Sequence, residues 1–255
     1  MNLNRKYLFI CPVTEPDTYN QILLKSNDLH SSKVIKLEGI TRATTGFNSI
    51  LAEYENDYNV IIFLHQDVYL PENWLSRLDA AIDEISTHGR WGAIGVAGAK
   101  PNGKLSCSLW MSALDMLLDC RDDNIEEVCA LDEVLIAINT DENVRFDKDL
   151  PGFHLFGTSI VQDLADRGLK SYSINNPIIH HDKVKGQLDK SYDKAYFYLR
   201  KKYKHKLPIF NTVLPIQKLP IALYKRKIKS YVRPTTTEKY NLIDPKELAR
   251  KLNFE

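Results

Sequence analysis

The stretch Val60-Ile61-Ile62-Phe63-Leu64-His65-Gln66-Asp67 decides the fold. Five consecutive apolar residues, three of them β-branched, give way at once to three polar ones. So short and uniformly apolar a run predicts a strand buried on both faces of a sheet. Tyr7 to Cys11 reads the same way, and so does Ala93 to Gly98, whose glycines admit close approach of neighbouring backbone. Val34 to Leu37, Val134 to Ile138, Ser171 to Ile174 and Ile178-Ile179 supply further strands. Helical spacing lies between them. Thr18 to Ser26 carries Tyr19, Ile22 and Leu23 on one face, and Gly46 to Tyr54 places Phe47, Ile50, Leu51 and Tyr54 at i, i+3, i+4 and i+7. Pro71-Glu72-Asn73 opens a helix with Trp74, Leu75, Leu78, Ala81, Ile82 and Ile85 on its inner stripe, and Leu155 to Arg167 is helix-like. The alternation predicts an α/β fold whose sheet is covered by helices on both faces.

Composition agrees with one globular α/β body. The 255 residues include 34 Lys+Arg, 33 Asp+Glu and 44% apolar residues, which excludes disorder, collagen-like repeats and a disulfide scaffold. Cys11, Cys107, Cys120 and Cys129 show no C-x-x-C spacing and are expected to be reduced thiols of a cytosolic protein. The first apolar run ends at Pro12, too short for an export signal, and no segment reaches about 18 uninterrupted apolar residues. The expected location is cytoplasmic, with attachment to the inner face of a membrane as the one alternative.

Beyond His181 the character changes. From Lys183 to Arg233 there are 15 Lys+Arg and two acids, Asp189 and Asp193, a net of +13 that leaves −12 for the rest of the chain. Asp189 to Tyr203 reads as helical, and Leu-Pro-Ile then recurs at Leu207, Leu214 and Leu219, where the prolines forbid one continuous helix. Asp244-Pro245-Lys246-Glu247 opens a last short helix with Asp at the N-cap, Pro at N1 and Glu at N3. The expected division is a main domain over 1–206 and a Pro-punctuated basic extension over 207–255. Such an arm suits an anionic membrane face, a partner protein, the chain's own acidic body or, less well, a nucleic acid, for which no recognised motif is present.

Open α/β sheets bind ligands beyond the carboxyl ends of their strands, so His65-Gln66-Asp67 is the first polar island to consider. Asp67 there can hold a divalent cation through oxygen, or simply end a strand. A second island, Asp147, Asp149 and His154, precedes the helix that starts near Leu155 and suits general-base work or anion handling as well as ordinary loop capping. A third, His180-His181-Asp182, ends a strand and can ligate metal.

The order of these islands resembles the nucleotide-sugar glycosyltransferases of the GT-A fold, in particular the bacterial family-2-like group, over roughly Lys6 to Leu214. Thr41-Arg42-Ala43-Thr44-Thr45-Gly46-Phe47-Asn48 is similar to that family's Ser-x-Ala-x-x-x-Asn segment, which lies against the nucleotide. Phe63-Leu64-His65-Gln66-Asp67-Val68 matches the group's F-L-H-Q-D-V form of the D-x-D motif. Leu131-Asp132-Glu133 resembles its acceptor-side L-D-G/E segment, and Phe146-Asp147 with Gly152 to Ser159 resembles its F-D…G-F-H-x-Y-G-x-D run. Tyr203 to Leu214 is similar to its K-W-x-x-x-L-P-I tail.

The resemblance implies a GT-A, Rossmann-like sheet, mixed and mainly parallel, and an inverting transfer of sugar from a UDP-, GDP- or dTDP-linked donor to a glycan or lipid-linked acceptor in surface-glycan synthesis. It implies that Asp67, with His180 or His181, binds Mn²⁺ or Mg²⁺ on the donor diphosphate. Glu15, Arg42, Asn48, His65, Gln66 and Asp132 would line the donor site. Where the family usually has an aspartate stands Ser159, which leaves Asp149, Asp147 or His154 as base, or else a protein that binds donor without transferring sugar.

Overall fold

The computed structural model describes residues 5–182, 188, 190–232 and 243–255. Lys183, Lys185, Asp189 and Arg233 of the basic stretch lie outside the described residues. In chain order the elements begin with β1 (Tyr7–Pro12), α1 (Pro16–Gln21), α2 (Asn27–His30), β2 (Lys33–Leu37), α3 (Ala43–Tyr54), β3 (Val60–Leu64), β4 (Val68–Tyr69) and α4 (Trp74–Thr87). The middle holds β5 (Trp91–Gly95), β6 (Ala97–Ala99), β7 (Leu105–Met111), β8 (Met116–Asp119), β9 (Ile125–Glu127), β10 (Ala130–Leu131) and β11 (Leu135–Asn139). Then come α5 (Phe156–Asp166), β12 (Lys170–Ile174), β13 (Ile178–His180), α6 (Lys190–Lys202), α7 (Ile221–Val232) and α8 (Pro245–Lys251).

The central sheet has seven strands in the order β2-β1-β3-β11-β5-β12-β9. Five of them, β1, β2, β3, β5 and β12, run one way, and β9 and β11 run against them. The sheet is thus mixed but mainly parallel, in a Rossmann-like arrangement. Because side chains alternate along a strand, each central strand feeds two cores. Ile61 and Phe63 of β3 join Leu8, Ile10, Ile136 and Ile138 on the face covered by α3, α5 and α6. Val60, Ile62 and Leu64 join Phe9, Cys11, Leu135 and Ala137 on the face covered by α1 and α4. Helices lie on both faces, as the apolar runs require.

Two elements differ from their reading in sequence. Ala93 to Gly98 is two strands, β5 in the central sheet and β6 in a second sheet of order β10-β6-β7-β13-β4. The chain changes sheet at Val96, and Gly95 and Gly98 allow it. A Cβ on Gly98 would stand 2.7 Å from the Ala130 carbonyl oxygen, and one on Gly95 would stand 3.0 Å from that of Leu135. The helix expected over Thr18 to Ser26 stops at Gln21, and a single 3₁₀ turn over Leu23–Lys25 follows. The last helix starts as read, with the Asp244 carboxylate accepting the Lys246 and Glu247 amides.

Past Leu207 several described residues pack on the main body. Ile209, Ile216 and Leu223 belong to the core under α3 and α5, and Leu248 and Ala249 of α8 pack on Tyr69 and Ile179. Described residues on the two sides of Leu207 thus share the same core clusters. Several cations of the basic stretch also turn inward. Lys202 pairs with Asp147 and Asp163, Lys206 with Asp166 and Lys227 with Asp193, while Arg200 donates to the Gln217 and Lys218 carbonyls.

Candidate functional site

The His65-Gln66-Asp67 turn is held from two sides. The His65 amide donates to the Val134 carbonyl ahead of β11, and the Asp67 carbonyl accepts the His181 amide at 2.8 Å. The second contact follows from register, since β4 pairs antiparallel with β13 and sets His180 opposite Val68. Asp67 Oδ1 consequently lies 3.3 Å from His180 Nε2 and 3.9 Å from His65 Nδ1. One ligand atom from each of the three side chains falls within 4.8 Å of the others.

The electrostatics favour charge on the carboxylate. Burial opposes ionisation of Asp67, but the close His180 imidazole and that of His65 outweigh it and hold the carboxyl well below the ordinary range. Two imidazole nitrogens and one carboxylate oxygen make a donor set suited to Mn²⁺ and softer divalent ions, and less to Mg²⁺. These residues therefore fit a dication.

His181 does not join them. Adjacent residues of an extended chain face opposite ways, and its Nδ1 lies 3.2 Å from Ser112 Oγ in a buried position. Burial lowers its pKa to about 4, so the ring is neutral. The pair expected as metal ligands divides between the two sides of the strand.

Beside His65 opens a cavity of about 90 Å³ at the carboxyl ends of β1 and β3. Its walls are mostly apolar, with Phe47, Phe63, Phe153 and Phe156 among them, and its polar members are His65 and Glu133. Glu133 stands in the sequence only as the last residue of Leu131-Asp132-Glu133, and nothing in that string marks it as a site residue. Its Oε1 accepts the Gly157 amide at 3.2 Å, in the first turn of α5. Burial and the charge of Asp132 raise its pKa to about 8. The helix start is close-fitted, because a Cβ on Gly157 would stand 2.3 Å from the Leu131 carbonyl oxygen. Leu155, at the N-cap, takes a left-handed φ of 62°.

The remaining expected site residues hold the scaffold or stand at its edge. Gln66 Oε1 accepts the Thr14 and Glu15 amides at 2.9 Å each, fixing the β1–α1 loop, and Glu15 accepts the Thr18 hydroxyl. Asn48 exchanges two hydrogen bonds of 2.8 Å with the main chain of Phe146, so its amide clamps a loop. Arg42 is exposed and donates to the Lys148 carbonyl. Asp132 accepts the Val134 amide at 3.0 Å and the Thr212 hydroxyl at 2.6 Å. Among the candidate bases, Asp147 is committed to Lys202 at 2.8 Å and Tyr198 at 2.8 Å, and Asp149 is exposed with its amide on Asp147. The His154 ring lies edge-on to Tyr192 at 5.7 Å. Ser159 is buried, with its hydroxyl 3.3 Å from that of Tyr203. Asp147 is paired with a lysine, Asp149 faces solvent, and neither lines the cavity.

Fold and site together define a Rossmann-like mixed α/β protein with a small cleft and a dication-competent cluster at the carboxyl ends of its central strands. No family model matches the chain, and no curated protein matches it. Among solved structures, A197 from STIV is similar over 72% of this chain and 98% of its own, at 12% identity and a TM-score of 0.42. S. aureus TarS 1–349 is similar over 70% of this chain and 58% of that fragment, at 14% identity and a TM-score of 0.40. No helix among the described residues is long and apolar enough to cross a membrane.

Proposed function

We propose that the chain is a metal-dependent glycosyltransferase that takes sugar from a nucleotide-diphosphate donor and passes it to an acceptor hydroxyl of a glycan or lipid-linked glycoconjugate. The observation that carries this reading is the meeting of Asp67, His65 and His180, with His65 also lining the cavity and His65 and Asp67 standing in the string that resembles the D-x-D motif. Asp67, His65 and His180 would hold Mn²⁺, or Mg²⁺ more weakly. The ion would supply charge stabilisation to the departing diphosphate. Gln66 keeps the β1–α1 loop in register beside it, and Asn48 keeps the Phe146 loop against α3. The apolar walls exclude water around the reacting atoms.

Calorimetry against a panel of UDP-, GDP- and dTDP-sugars, with and without Mn²⁺, tests the reading. At least one donor is expected to bind only with metal, and Asp67→Ala to abolish that binding. Absence of metal-dependent binding across the panel overturns it.

The acceptor side of the proposal includes an anionic membrane surface. Leu219, Ile221 and Tyr224 are exposed at the start of α7 beside exposed Lys218 and Lys225, an apolar and cationic face of the kind that settles at lipid headgroups.

A further inference from the structure

We propose that Glu133 is the general base of the transfer, a role that rests on the glycosyltransferase reading above. Four observations lead to it. Ser159 is buried, with its hydroxyl against that of Tyr203, and outside the cavity lining. Asp147 is neutralised by Lys202, and Asp149 stands outside on an exposed loop. Glu133 is the carboxyl group that lines the cavity, across from His65. Its place is fixed by the Gly157 amide on Oε1 and by the tight seat of α5 on Leu131.

The chemistry of that seat suits a base. A carboxyl whose pKa is raised to about 8 takes and returns a proton near neutral pH, where Brønsted behaviour makes a base most effective. The charged and titratable groups facing it are Asp132 on its own segment, His65 from the end of β3, and Tyr192 from α6 with His154 beside that ring. In the step, the acceptor O–H proton passes to Glu133 as the acceptor oxygen bonds to the anomeric carbon. The bond from that carbon to the diphosphate oxygen breaks, and its electron pair leaves with the nucleoside diphosphate. Water can replace the acceptor, which gives donor hydrolysis by the same proton transfer.

The test uses the full chain with Mn²⁺, the UDP-, GDP- and dTDP-sugar panel, and water as acceptor, read as donor hydrolysis against pH. Wild type is expected to hydrolyse its donor with a rate that rises with pH as the carboxyl loses its proton. Glu133→Gln is expected to bind the donor within about threefold of wild type by calorimetry, to lose at least about 100-fold in hydrolysis, and to lose the pH limb. Glu133→Asp keeps the limb at a lower rate. Hydrolysis by Glu133→Gln within about threefold of wild type, or a limb that survives in it, overturns the role of Glu133 and leaves the glycosyltransferase reading standing. A wild type that binds donor with metal and hydrolyses none also removes the base. A wild type that binds none removes the parent reading and the base with it.

Discussion

Two groups of carboxylates on this molecule differ in what neutralises them. At the seam of α5 and α6, Lys202 Nζ stands 2.8 Å from Asp147 and 2.7 Å from Asp163, Lys206 stands 2.5 Å from Asp166, and Tyr198 and Tyr203 donate to Asp147 and Asp163. Around the strand ends, Asp67, Asp132 and the cavity-lining Glu133 have no lysine or arginine partner among the described residues, and imidazoles face Asp67 instead. The first cluster is electrically closed and contributes to cohesion. The second holds an ionised carboxylate among imidazoles at Asp67 and a carboxyl that keeps its proton at Glu133, the conditions for taking up a cation and for exchanging a proton. A carboxylate's use is set by its neighbours rather than by its residue type.

Substitution can break that comparison. Asp67→Ala is expected to weaken metal-dependent donor binding by more than about 100-fold, whereas Asp147→Ala leaves it within about threefold, both read by calorimetry with Mn²⁺. The reverse outcome would mean that the two clusters have been assigned the wrong way round. Stability should invert the order. Lys202→Met leaves Asp147 without its cation, at 8% side-chain exposure. The expected cost is about 2 kcal/mol, a melting temperature lower by about 4–8 °C, while Asp67→Ala shifts it by about 2 °C or less.

Titration sharpens the contrast with opposite signs. Burial works against charge on Asp147, yet the Lys202 pair and the Asp149 amide hold its carboxyl below the usual value of 3.8. Its contribution is present above that value and disappears as pH falls through the folded pKa, so the melting difference between wild type and Asp147→Asn should shrink in acid. Glu133 shifts the other way, from 4.5 to about 8. The folded protein holds a proton there that the unfolded chain has released, so wild-type stability falls as pH rises across that window. Glu133→Gln, which never ionises, is expected to gain about 3 °C over wild type at pH 8.5 and nothing at pH 4, measured by melting curves.

The smallest expected effect concerns α7. Lys225→Glu should weaken sedimentation with anionic vesicles about fivefold, at the roughly 1 kcal/mol expected per basic residue at such a surface. No change, with neutral vesicles bound equally well, would remove the membrane from the proposal.

Much of this was legible residue by residue. The run Val60 to Leu64 reads as a doubly buried strand, and Ile61 and Phe63 do face one core while Val60, Ile62 and Leu64 face the other. Asp67 was visible as a ligand because it follows that strand. Asn48 was visible only as part of a nucleotide-side motif, and nothing local announces that its amide is used up by Phe146. Glu133 was hidden for the converse reason. Between Asp132 and Val134 it has no distinctive spacing, and its raised pKa comes from burial under distant segments, with the charge of Asp132 adding to it and the Gly157 amide opposing it.

The amino-acid order by itself determined what depends on near neighbours: which runs become strands, where Asp244 caps a helix, and which polar residues stand at strand ends. Only the tertiary structure decided which of two adjacent histidines meets Asp67, which aspartates are silenced by lysine, and which carboxyl keeps its proton. Those outcomes rest on strand register, on helix seating and on desolvation, which arise between segments far apart in the chain and are written in no single one of them.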